Sequence, residues 1–225
     1  MLIAAHELPR RDDRLALLGT SWPVMEKALR MSEAGLRRVT ESHGRTASGQ
    51  YAYHERLAAL RSEQKVRYGW ENVSRFQIDL TVNPERTVGI QTLSGDANTG
   101  NPDPTAVPHS QHPRGPNGRH LLTDETAFEQ LSLPGLPTEF LPPPAEPSDL
   151  DGLEVWVFLT YRKQVPESDL VVWHSELSRP CPPDERGYIT AWYDRILFPE
   201  VTIGSVVFPD EGGGMEPIDV PVDFR

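Results

Sequence analysis

Three imidazoles stand close together in this 225-residue chain: His109 and His112 in the run His109-Ser110-Gln111-His112, then His120, all within PHSQHPRGPNGRH. Neutral histidines in that number are ligands for zinc or a similar divalent ion, with a further coordination position left for water. A metal so held implies a hydrolase or nuclease. The chemistry needs three rings fixed in space, and here they lie in proline-rich sequence with no cysteine beside them. A second set is cationic. Arg37, Arg38, Arg45, Arg56 and Arg61 would form the phosphate-gripping face of a nucleic-acid-binding module. Glu33, Glu41, Glu55 and Glu63 are interspersed with them, so a salt-bridged, solvated face is the competing expectation.

Weaker constellations complete the inventory. Arg38 to His43, RVTESH, resembles at two positions the arginine, four residues, histidine motif of a family of helical ribonucleases that dimerise through it. The resemblance covers six residues and lacks the polar residue usual beside the arginine; it implies a nuclease. Gly95-Asp96-Ala97-Asn98-Thr99-Gly100 is glycine-bounded like a phosphate loop but has no following Lys-Ser/Thr. Asp149, Asp151 and Glu154 are carboxylates that would hold a divalent ion, or simply a charged linker end. The single cysteine, Cys181, excludes an internal disulfide framework and suits a reducing compartment; as a nucleophile it needs a base, and His174 is the nearest in sequence.

Charge is divided along the chain. Residues 1 to 75 hold 13 Lys+Arg against 9 Asp+Glu, a net of +4, and the remainder holds 9 against 24, a net of −15. A surplus of four is small for a nucleic-acid domain, so docking on acidic protein surface is favoured. Nineteen arginines against Lys27, Lys65 and Lys163 read as GC-rich coding and a bacterial source. The start MLIAAHELPRRDD has no long apolar core and no run of eighteen apolar residues occurs, so a soluble cytoplasmic protein without membrane contact is expected.

The elements that must position these groups follow from periodicity. Arg11 to Leu18 is a short helical candidate. From the Ser21 cap, with Pro23 in the first turn, Trp22, Met25, Leu29, Leu36 and Val39 share one helical face until Gly44, despite Gly35. Tyr51 to Tyr68 is a second helix with Tyr53, Leu57 and Leu60 inward. Phe76 to Val82 and Thr87 to Leu93 alternate with period two around Asn83-Pro84-Glu85-Arg86, a hairpin. Eleven of 22 prolines lie between Pro102 and Pro147, a strap interrupted by the helical Leu121 to Leu131, which Thr123 caps. Leu153 to Tyr161 is apolar on both faces and pairs, across Pro166-Glu167-Ser168-Asp169, with Leu170 to His174. Tyr188 to Phe198 reads as helix, Val201 to Phe208 as strand, and Ile218 to Phe224 as an edge strand.

The fold class expected is α+β, an N-terminal helical hairpin followed by a mostly antiparallel β-sheet or sandwich with a long proline-rich connection: a helical region over 1–72, a β-hairpin over 73–95, a proline-rich strap with one short helix over 96–150, and an antiparallel core over 151–225. The function expected is that of a non-catalytic subunit or adaptor in a bacterial multiprotein assembly, phage-derived or defence-related, with other protein subunits as partners. A metal hydrolase using His109, His112 and His120 with a divalent ion is the alternative, and nucleic-acid binding by the five arginines the second.

Overall fold

The computed structural model describes residues 10–75, 77–123 and 152–204. Helices come first: α1 (Arg11–Leu17), α2 (Trp22–Arg37) and α3 (Ala47–Tyr68). Ser21 is extended ahead of α2, with Pro23 in the first turn where its missing amide proton leaves no bond unmade. The helix stops at Arg37 rather than near Gly44, because the Thr40 amide and hydroxyl both bond His43 Nδ1, at 3.0 and 2.9 Å, and close a turn. Gly69, at φ 72°, ends α3 in the left-handed conformation. Gly35 lets α2 and α3 cross closely. A Cβ there would lie 2.8 Å from the Tyr51 carbonyl oxygen, so the small residue that weakens the isolated helix permits the hairpin.

The seven strands among the described residues join one sheet in the order β1-β2-β3-β4-β5-β6: β1 (Glu71–Arg75), β2 (Ile78–Val82), β3 (Val88–Ser94), β4 (Glu154–Gln164), β5 (Val171–Pro180) and β6 (Trp192–Leu197), with β7 (Val201–Ile203) pairing β5 beyond β6. Every pair is antiparallel except β3–β4, parallel from Val88↔Glu154 to Ser94↔Thr160. That pair makes the hairpin and the C-terminal strands a single sheet. The expected class, helices followed by a mostly antiparallel sheet, is the one observed. The hairpin turn is held by Asn83, whose Oδ1 accepts from the Thr87 and Val88 amides, each at 2.9 Å.

Central β4 is covered on both faces, as its doubly apolar pattern requires. Trp156 and Phe158 enter the core beneath the helices with Val24, Met25, Leu29 and Leu60, each large side chain stabilising by about 1.5–3 kcal/mol. Val155, Val157 and Leu159 face the other way, onto Leu80, Leu121 and Ile189. The strap supplies part of that second cover, including α4 (Pro116–Thr123), which begins before the expected Leu121. Buried Ser110 fastens it: its amide donates to the Ile189 carbonyl and its hydroxyl accepts from the Ile189 amide, both at 3.0 Å. Trp192 Nε1 donates to the Pro108 carbonyl at 2.8 Å.

Two readings are corrected. Residues 71–75 form β1, and the expected strand starts only at Ile78, after a turn at Gln77 with φ 62°. Residues 192–197 are strand, not helix. Trp192 and Ile196 are four apart, a spacing shared by both periods, and the free edge of β5 over Glu176–Pro180 takes their backbone bonds. A register shift at Arg179/Pro180 sends the two side chains to opposite faces. Strand β5 also runs past His174 to Pro180. Phe76, residues 124–131 of the expected helix and the expected strand over 218–224 lie outside the described residues.

Candidate functional site

The end of α2 and the β4–β5 turn enclose a cleft of about 770 Å³. Its floor is Glu33, 2% exposed, which the 16-residue α2 carries on the face turned to the sheet. A carboxylate so buried needs donors. Arg162 Nε and a second guanidinium nitrogen give hydrogen bonds of 2.9 and 3.2 Å, Arg37 Nε one of 3.2 Å and the Trp173 indole one of 3.1 Å. Burial pushes the Glu33 carboxyl up, but the Arg162 bonds and charge, with Arg37 and Trp173, outweigh it and hold the group below the usual carboxylate range.

Around that floor the cleft is cationic. Arg30, Arg37, Arg38 and Arg162 line it against the two acids Glu33 and Asp169. One buried carboxylate serves both Arg37 and Arg162. Arg30 and Arg38 are more than half exposed and pair with Glu26 and Glu55 at 2.7 and 2.8 Å. Exposed pairs of this kind contribute about 0–1 kcal/mol and exchange readily for another carboxylate. Gln164 adds an amide, while Ala34, Val171 and Ile203 give apolar wall. The arrangement can hold acidic groups against a hydrophobic backing.

No family model, curated protein or solved structure matches this chain.

His109 and His112 are exposed on either side of buried Ser110, and His120 belongs to the α4 backbone, its side chain outside the described part. Among the described residues no group of three His, Cys, Asp or Glu side chains is placed to hold a metal ion. Asp149 and Asp151 lie outside the described residues, and Glu154 pairs with Arg179 at 3.2 Å and accepts from Trp156 Nε1. The glycine-bounded loop gives its Gly100 amide to the buried Glu176 carboxylate at 2.8 Å. The Cys181 thiol is pushed up by burial, and His174 faces Glu200 at 3.3 Å.

The five arginines do not share a face. Arg37 and Arg38 belong to the cleft, Arg45 is exposed beyond it, and Arg61 pairs with Asp79 at 2.9 Å. Arg56 is 2% exposed and points into the fold, correcting its expected surface position. The alternating arginines and glutamates expected on the helices do pair, as Arg37–Glu33, Arg38–Glu55 and Arg67–Glu63. In the motif resembling the ribonucleases, His43 Nδ1 caps the Thr40 turn while Arg38 turns to Glu55. Sequence reasoning missed Arg30 and Arg162. The i, i+4 spacing of Glu26/Arg30 and Glu33/Arg37 was available, but nothing local links Arg162 to Glu33, 129 positions away.

Proposed function

We propose that this protein is a non-catalytic subunit or adaptor of a bacterial cytoplasmic assembly, phage-derived or defence-related, and that the arginine-walled cleft receives an acidic segment of a partner protein. The observation that supports it is that Arg30 and Arg38, in a cleft lined by four guanidinium groups and backed by apolar side chains, are held in exposed pairs with Glu26 and Glu55 that a partner's carboxylates can displace. The walls are guanidinium, amide and aliphatic groups. The floor carboxylate is bound by three donor side chains, which suits it to fixing arginines rather than to moving protons. Charge complementarity of this kind steers encounter and sets register.

Anisotropy of a labelled glutamate-rich peptide tests the proposal, at about 20 and 200 mM salt. Binding at low salt that weakens with salt and is lost in Arg30→Glu/Arg38→Glu is expected. No binding at low salt, or binding indifferent to those substitutions, refutes it. Tighter capture of a single-stranded oligonucleotide through the same arginines would replace the protein partner with nucleic acid.

A further inference from the structure

The second candidate lies where the sheet forks. Strands β2 and β3 are in register only at Thr81↔Ile90 and Val82↔Gly89, while β1 follows β2 to Arg75↔Ile78. The β1–β2 ribbon therefore leaves β3, and the strap takes over alongside it: the Gln111 amide donates to the Ser94 carbonyl at 2.8 Å and Ser110 bridges Gly95. Two elements turn cations toward this fork. Helix α3 provides Arg56 and Arg61, and the strap provides Arg114.

Their partners do not balance them. Arg56 donates from Nε to Thr92 Oγ1 at 2.6 Å and from a terminal nitrogen to Ser32 Oγ at 3.4 Å, and among the described residues no carboxylate pairs with it. Arg61 reaches Asp79 at 2.9 Å, but its Nε is buried without a partner. Arg114 reaches Gln91 Oε1 at 3.4 Å, and its Nε is likewise buried and unpartnered. Gln91 is 2% exposed. Arg114 can only donate, which fixes the amide with Oε1 toward it and leaves Nε2 as a third buried, unpartnered N–H. Thr81 Oγ1 is unpartnered as well. Tyr53 on α3 feels the charges of Asp79, Arg61, Arg56 and Arg114 alike, and Thr92 and Gln91, which hold Arg56 and Arg114, are neighbours on β3.

Among the described residues three guanidiniums face one carboxylate, and the three orphaned nitrogens are all donors. A water molecule could accept from two of them without touching the charge imbalance. A multivalent oxyanion answers both. We propose that the fork binds a tetrahedral oxyanion of the phosphate class, inorganic phosphate or the phosphoryl end of a larger ligand, through Arg61, Arg114 and Gln91, with Arg56 behind them. Asp79 is 42% exposed at its side chain and stands at the mouth, competing with the anion for Arg61. The site shares no arginine with the cleft and stands whether or not the cleft binds an acidic partner.

Thermal unfolding of the full chain in rising inorganic phosphate, with chloride holding ionic strength constant, tests it; a parallel arm uses glycerol phosphate. Saturable stabilisation is expected, about 5–10 °C at a hundredfold excess over Kd. Gln91→Glu places a carboxylate among the arginines and abolishes the shift, whereas Asp79→Asn removes the competitor and lowers the half-saturating concentration. Should Gln91→Glu not fold, Arg114→Gln serves, with the same loss expected. Response to inorganic phosphate alone marks the free ion, and response to both marks a phosphoryl end. No saturable shift with either, a shift that survives Gln91→Glu or Arg114→Gln, or a midpoint unmoved or raised by Asp79→Asn overturns the proposal.

Discussion

Replacing Glu33 by glutamine isolates the charge on which the cleft floor depends. The amide keeps one acceptor oxygen and the size of the side chain, but it sets an NH2 group against guanidinium donors. Two charge-assisted bonds are lost, at about 1.5 kcal/mol each. Removing one member of a buried pair costs about 3–5 kcal/mol. Arg37 and Arg162 are each about a third exposed at their side chains and recover hydration, which places the loss at the lower end, about 3 kcal/mol. For a chain of this length that lowers Tm by about 6–12 °C. The sign with pH follows from the depressed carboxyl. Its stabilisation is present above the ordinary value of 4.5 and is lost as pH falls through the lower folded value. Urea unfolding of the two proteins should therefore show the full difference at pH 7 and a shrinking one below about pH 4.5. A difference under about 1 kcal/mol at pH 7, or one that stays constant down to pH 3.5, refutes the assignment of Glu33 as the charged anchor.

Gly35→Ala gains about 1 kcal/mol of helix propensity but drives a methyl group into the Tyr51 carbonyl, so a net loss of about 1–3 kcal/mol is expected in chemical denaturation. Ser110→Ala leaves the buried Ile189 amide without its acceptor, a cost of about 1–3 kcal/mol, and should speed limited proteolysis of the strap near residues 100–115. Unchanged cleavage would mean that the strap is held elsewhere. Arg56→Met should be neutral or stabilising, because burial without a carboxylate pushes the guanidinium down to about 10 and an apolar side chain removes that penalty. A loss above about 2 kcal/mol in urea unfolding would instead show Arg56 to be a structural pillar.

Much of the fold was legible because periodicity and turn chemistry agreed. Asn83-Pro84-Glu85-Arg86 and Pro166-Glu167-Ser168-Asp169 both turn where expected, and the doubly apolar β4 lies at the centre of the sheet. The failures share a cause. Residues 71–75 carry only Val73 as an apolar side chain and pair along β2 through their backbone, which leaves no pattern to read. Trp192 and Ile196 fit either period, and only the free edge of β5 decides between them. The sites were less legible than the fold. Their members come from α2, α3, β2–β5 and the strap, and a helical stripe of Ala52, Arg56, Leu60 and Gln64 reveals that Arg56 turns inward only once Leu60 is known to be core.

The arginines divide by what answers them, and that division separates architecture from recognition better than exposure does. Arg195 is held by Glu176, and Arg162 by Glu33; each acid is almost fully buried, and each pair ties a distant strand or helix to the sheet. Arg67 and Arg86 sit in exposed pairs that contribute little. Arg56 and Arg114 belong to neither class, since among the described residues their hydrogen bonds go to hydroxyl and amide groups alone. A desolvated cation without a counter-ion costs stability, which the fold could recover with an apolar residue of similar volume. Its presence beside three unpartnered donors fits a ligand that supplies the missing charge. On that account a stabilising Arg56→Met and a lost phosphate response belong together, the first measuring what the empty fork costs and the second what fills it.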